Sequence, residues 1–329
     1  MKLIATLVLW LACSLAWAQP AAPTGFTVSV RNTFPNASTT GIPAGTVLTN
    51  YTGPIVSGEC TLSTPNATYD AIDFSACNAV LIRADNITFT RCKFYLAVNG
   101  VESDGYSFTV IDSYLEGNDT TTGHSCINCG FDGWNFTLIR VHVNGTNRGA
   151  YCMNNCLIRD SYIHGQDLYQ PGCGNSCFHA SAIRLERYST LINNHLACDW
   201  INIDTLDNDA DLGCSATLSG YPDFAPIHHN TVDGNYFPVI AAGGYCTYGG
   251  NTTGKPFSTD PLNATYVVFK NNIYERDVNF VYQSVDDPGP HSGNCGYYGS
   301  NTAWGTGRTG NEWTNNKWFP DGATVDPSE

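Results

Sequence analysis

Between His164 and His229 the chain concentrates the residue types that do acid–base chemistry: His164, Asp167, His179, Arg184, Glu186, Arg187, His195, a run of aspartates, His228 and His229. Asp199, Asp204, Asp211 and Asp223 are the candidate catalytic carboxylates. Inverting glycoside hydrolysis needs a general acid and a general base, with carboxyl groups roughly 6.5–9.5 Å apart so that a water fits between them. Any one of these aspartates read alone is a solvated turn residue; read together they form an acid–base set. His179 and His164 border the acidic stretch and are the histidines expected to move or hold a proton. Arg184, with Arg187 beside it, would bind or polarise the sugar. His228 and His229 are neighbours, so on a strand they should face opposite ways and make poor joint metal ligands.

Five side chains are candidates for binding the substrate: Trp200, Tyr221, Tyr245, Tyr248 and His195. Phe224 and Trp134 join them as rings that could stack on a sugar face. Asp207-Asn208-Asp209-Ala210-Asp211 invites a calcium reading. An EF-hand loop fails, because Leu212 stands where it needs Gly and Leu218 where it needs Glu. A looser calcium site through Asp207 and Asp209 remains the metal reading, and no other cofactor is required. Neither Gly-x-Ser-x-Gly nor His-Glu-x-x-His occurs.

Such residues must be held by a scaffold, and the chain carries a repeat that supplies one. An apolar residue, two residues, a small or amide residue, one residue and another apolar residue recur. The pattern appears as Phe89/Cys92/Phe94, Val110/Ser113/Leu115, Leu138/Val141/Val143 and Ile158/Ser161/Ile163. It continues as Leu191/Asn194/Leu196, Ile227/Asn230/Val232, Val268/Asn271/Ile273 and Trp313/Asn316/Trp318. Successive anchors lie between 20 and 45 residues apart, the shortest being one turn of a strand solenoid and the longer ones leaving room for lateral loops. Each rung cannot bury its apolar side alone, so stacking builds the core. Asn194, Asn230 and Asn271 fall at the same phase, where stacked amides can hydrogen-bond along the axis. The expectation is an all-β fold, a right-handed parallel β-helix with capped ends. An antiparallel sandwich would not explain an amide at one phase of successive repeats.

The segments LIRDSYIHG (157–165), STLINNHL (189–196) and YVVFKNNIYER (266–276) resemble rungs of the pectate-lyase-like, right-handed parallel β-helix superfamily. The likeness runs from about residue 75 to about residue 320. It implies the fold, and a groove on one lateral face walled by loops. It leaves activity open, since that superfamily holds polysaccharide lyases, glycoside hydrolases, pectin methylesterases, phage tailspikes and non-catalytic surface proteins. The segments 213–226 and 243–250 also resemble those of secreted bacterial β-helix proteins. For a lyase the resemblance allows Arg or Lys with calcium held by Asp, but neither a lyase motif nor the polygalacturonase motif set stands in this sequence.

Bulk properties set the limits. Lys2, an apolar run and Ala16-Trp17-Ala18 read as a secretory signal, residues 1–18. Residues 19–75 are expected to form an N-terminal cap with the first imperfect rungs, 76–300 the coil, and 301–329 a C-terminal cap. A secreted, extracellular monomer acting on a polysaccharide is the expectation. The net charge of −14, with 15 basic against 29 acidic residues and no basic cluster, argues against nucleic acid and anionic membranes as partners. Of the 14 cysteines, the 13 beyond the signal fit an oxidising compartment. Expected pairs are Cys60–Cys77, Cys173–Cys177, Cys198–Cys214 and Cys246–Cys295. Cys126, Cys129, Cys152 and Cys156 would pair among themselves in an open order, and Cys92 is left over in the core. Nine Asn-x-Ser/Thr sequons, at Asn36, Asn50, Asn66, Asn86, Asn118, Asn135, Asn144, Asn251 and Asn263, permit glycosylation.

Overall fold

Alternation decides how the strands stand. In Ile87–Thr90, Ile87 and Phe89 are buried while Thr88 and Thr90 are half-exposed. The same inward–outward order recurs in Phe108–Ile111 and Phe136–Ile139, the strands stacked next to it. β-branched and aromatic residues at the inward positions favour this half-buried, pleated surface. The computed structural model describes residues 34–119, 124–125, 130–166, 180–198, 215–239, 244–282, 291–293, 295–296 and 299–327. Among them every regular element is a strand.

The strands form three parallel stacks. Face A holds ten, from Thr49–Asn50 to Lys317–Phe319. Face B runs from Glu59–Leu62 through Gly130–Trp134, Arg148–Asn154 and Ser181–Arg187 to Ala216–Ser219, Tyr245–Tyr248 and Gly299–Thr302. Face C runs from Thr68–Asp70 through Thr190–Ile192 and His228–Asp233 to Thr265–Lys270 and Glu312–Thr314. The chain visits B, C and A in turn and returns to B beside its own earlier strand. This long-range parallel stacking is consistent with a β-helix. Two antiparallel pairs, Asn118–Asp119 with His124–Ser125 and Asp277–Tyr282 with His291–Gly293, lie outside the stacks.

Inside, Phe74, Phe89 and Phe94 pack with centroids 5.2–5.7 Å apart, and the apolar column continues as Leu115, Val143, Ile163, Leu196, Phe237, Tyr274 and Trp318. Burial pushes the thiol of the free, buried Cys92 up to about 11. Cys60–Cys77 and Cys246–Cys295 are bonded, as expected from their spacing. Cys152–Cys156 settles part of the order that the sequence left open, and Cys198 is also disulfide-bonded. Cys126, Cys129, Cys173, Cys177 and Cys214 lie outside the described residues.

A buried amide ladder turns the corner between faces C and A, with a different membership from the expected one. It consists of Asn194, Asn235, Asn272 and Asn316. Each of the first three donates from both its backbone N–H and its Nδ2 to its neighbour's Oδ1, at 2.9–3.2 Å. Ser161 N donates to Asn194 Oδ1 at 3.0 Å and extends it downward. Asn271 is one residue off phase, at the exposed corner with φ 56°. Asn230 belongs to a second corner, where its Oδ1 accepts from Ser189 N at 2.9 Å. Both corners place an amide after an apolar strand, so the sequence pattern alone merges them.

The first described segment does not stay at the first coil. Phe34 stacks on Tyr236 at 4.9 Å, Pro35 O meets His195 Nδ1 at 3.0 Å, and Gly41 N donates to Arg140 O at 2.9 Å. Residues 34–46 therefore descend along face A, from its later coils back to Thr49. Gly41 is needed there: its φ is +80°, and a Cβ would stand 3.1 Å from His142 Cβ. Beneath this strap the outward rings of Tyr114, His142, Tyr162, His195 and Tyr236 form a ladder with centroids 4.5–5.3 Å apart.

Candidate functional site

Face B carries charge where a solenoid strand would ordinarily carry small polar residues. Parallel register puts Asp132 beside Tyr151, and Tyr151 beside Arg184, on three successive coils. The three point the same way, between the inward positions Phe131, Ala150 and Ile183. Glu186 stands two residues beyond Arg184 on that outward side. Asp132, Tyr151, Arg184 and Glu186 are all buried, with exposures of 9%, 7%, 7% and 3%. Burying four polar groups costs several kcal/mol unless they find partners, so the pairings among them matter.

Tyr151 OH donates to Glu186 Oε1 in a short hydrogen bond. The guanidinium of Arg184 lies 5.3 Å above the Tyr151 ring, and that of Arg148 lies 5.7 Å from the same ring. Arg184 Nη2 also donates to Asp223 Oδ2 at 2.9 Å, and Lys255 Nζ holds Asp223 Oδ1 at 3.0 Å. The Arg184 guanidinium also lies over the exposed Phe224 ring, 4.9 Å from its centroid. Lys255 lies 5.2 Å from the Tyr221 ring, which tilts against Tyr248 at 4.3 Å, and Tyr248 meets Tyr245 edge-on at 5.6 Å. Arg187 lies over Trp134 at 5.7 Å.

The carboxyls differ in their surroundings. Burial raises Asp132 to about 7, against the Arg148 charge and the Tyr151 backbone amide; its Oδ1 has no hydrogen-bond partner. Burial also raises Glu186, outweighing the Tyr151 hydrogen bond and the charges of Arg184 and Arg187. At Asp223 burial works upward but loses to the hydrogen bonds from Lys255 and Arg184, so that carboxyl is lowered. Arg148 is lowered by burial and then by the positive charge of Arg184.

Of the residues singled out from sequence, Arg184, Asp223, Tyr221, Tyr245 and Tyr248 come together here. His195 is on face A instead, in the ladder under the strap, and His164 stands beside that ladder, stacked on Tyr162 at 3.9 Å. His142 and His164 face each other there through Nε2 atoms 2.8 Å apart, and burial, then His164, holds His142 down to about 4. Asp199, Asp204, Asp211, His179, Trp200 and the calcium candidates Asp207 and Asp209 lie outside the described residues. Among the described residues no group of three or more His, Cys, Asp or Glu is arranged to hold a metal ion. Asp132, Arg148 and Tyr151 were not anticipated. The available signal was a charged residue inside otherwise core-like strands, in Gly130–Trp134 and Arg148–Asn154.

The adjacent histidines overturn their expected divergence. His228 Nδ1 and His229 Nδ1 are 2.9 Å apart. His229 has a φ of 52°, a left-handed conformation and not extended backbone.

No family model matches this chain, and neither a curated protein nor a solved structure does. The pectate-lyase-like superfamily thus remains a resemblance of the strand repeat.

Proposed function

We propose that this chain is a secreted carbohydrate-active enzyme, on a right-handed parallel β-helix of the pectate-lyase-like kind, that hydrolyses a polysaccharide at face B. Right-handedness is the physical expectation, because a right-twisted strand packs back onto its own sheet through right-handed crossovers. One observation carries the catalytic reading: on one face Tyr151 holds the buried Glu186 while Arg184 and Lys255 hold Asp223, so that burial raises the first carboxyl and hydrogen bonds lower the second. Hydrolysis asks for that pair, a protonated acid and an ionised base. Glu186 gives its proton to the glycosidic oxygen as the bond from the anomeric carbon to that oxygen breaks. Asp223 takes a proton from the water whose oxygen joins the anomeric carbon from the opposite side. Arg184 and Lys255 position Asp223, Tyr151 positions Glu186, and exposed Phe224 offers a ring to the sugar.

Four of the 15 basic residues, Arg148, Arg184, Arg187 and Lys255, gather at this face of an otherwise acidic chain. They favour a glycan carrying carboxylate or sulfate groups. Elimination is the second reading, favoured by Arg148 and Arg184 meeting over one tyrosine, where two cations could neutralise a uronate. Calcium would belong to that reading.

The test is an assay of the purified chain on neutral, uronic and sulfated polysaccharides, following reducing ends and the ultraviolet absorbance of unsaturated sugars, with and without a chelator. Reducing ends without absorbance, lowered about 10²–10⁴-fold by Glu186→Gln with little change in KM, are expected. Absorbance that a chelator abolishes would replace hydrolysis by elimination. Silence in both channels, with retained glycan binding, would make the protein a non-catalytic binder.

A further inference from the structure

The histidine pair at the corner between faces B and C belongs to no part of the proposed hydrolysis, and its geometry points to a metal site. We infer that His228 and His229 form a two-nitrogen chelate for a divalent late transition metal, copper(II) before zinc. The two Nδ1 atoms are 2.9 Å apart. With metal–nitrogen bonds of about 2.0–2.1 Å, that separation subtends an angle of about 90° at the metal. Tetrahedral zinc would spread the same nitrogens to roughly 3.3 Å, whereas the cis positions of a tetragonal ion match the observed bite.

The rings are fixed before any metal arrives. His229 is stacked between Tyr188 and Tyr266, at 5.0 and 4.4 Å with interplanar angles of 25° and 21°. His228, only 4% exposed, meets the Tyr188 ring edge-on at 5.1 Å. Little side-chain freedom is left to lose on binding. Because the three rings of Tyr188, His229 and Tyr266 cover one another's faces, they make a poor sugar platform, which separates this corner from the aromatic surface at Phe224.

A metal requires both imidazoles to be neutral. A neutral pair without metal shares one hydrogen between the two Nδ1 atoms. On binding, that hydrogen moves to Nε2 of its own ring, both Nδ1 lone pairs face the metal, and no net proton is released. Water fills the remaining coordination positions.

The experiment titrates the untagged, metal-stripped full chain with copper(II), by calorimetry and by electron paramagnetic resonance on protein carrying ¹⁵N-histidine. One tight site with an axial spectrum and two coupled imidazole nitrogens is expected, with zinc binding more weakly at the same place. His229→Asn keeps a residue tolerated at positive φ and should weaken copper at least about 100-fold, beyond what outer partners of a metal site contribute. His142→Asn, at the histidine pair that the strap packs against through Gly41, should leave the affinity unchanged. Equal copper affinity in wild type and His229→Asn, or a wild-type spectrum with fewer than two coupled nitrogens, would overturn the inference. A folded His229→Asn protein, judged by an unchanged far-ultraviolet spectrum, keeps a loss of binding from being read as a loss of fold.

Discussion

Asp132 offers a quantitative test of the electrostatics of face B. Its carboxyl is raised from 3.8 to about 7 by burial. Each tenfold change in proton affinity is worth about 1.36 kcal/mol, so ionising Asp132 in the folded chain costs about 4 kcal/mol more than in the unfolded one. The folded state binds more protons than the unfolded state between these two values. Stability therefore falls as pH rises from about 4 to about 7 on account of this group, and levels off above. Asp132→Asn removes the ionisation and keeps the shape. At pH 4 the folded wild type and variant both carry a neutral group, and any difference between them reflects mainly shape and hydrogen bonding. At pH 8 the variant should gain about 4 kcal/mol relative to that baseline. Guanidinium unfolding at pH 4, 6 and 8, with disulfides intact, measures the difference, and a carboxyl-carbon NMR titration of Asp132 gives the midpoint directly. A stability difference that stays flat across this range, or a midpoint near 4, would refute the reasoning.

Two further substitutions probe the scaffold. Asn272→Ala strips the ladder of an acceptor for Asn235 N and a donor to Val232 O, both buried, and should cost about 3 kcal/mol by denaturant titration, while Asn271→Gly at the exposed corner should stay within about 0.5 kcal/mol. Gly130→Ala would drive a Cβ to within 1.9 Å of Arg148 O at a φ of +125°, so it should lose at least about 2 kcal/mol and loosen the strand that presents Asp132.

The parallel strand repeat is legible in the sequence because its signal is carried by inward residues that successive strands of a stack repeat. Phe94, Leu115, Val143, Ile163 and Leu196 all fall in the column that the repeat assigns them. The phase fails where coils lengthen. Two corners of one coil each place an amide after an apolar strand, so the repeat points to Asn230 where Asn235 stands and to Asn271 where Asn272 stands. Half of the face B site is legible too, since Arg184, Asp223 and the three tyrosines lie in one polar stretch of sequence. Asp132, Arg148 and Tyr151 are not, because parallel stacking brings them to Arg184 from earlier coils whose strands read as ordinary core. The histidine pair escapes the sequence pattern for a local reason: alternation holds for extended backbone, and His229 is not extended.

The strap along face A gives the molecule a sequence of assembly. Pro35 rests on His195, 160 residues downstream, and Phe34 on Tyr236 beyond it. The seat for the earliest described residues is thus made by coils synthesised much later. The segment can reach its seat over the ring ladder only once the coil bearing Tyr236 is in place. A nascent chain halted before that coil displays Phe34 with nothing to receive it, a visible mark of unfinished folding.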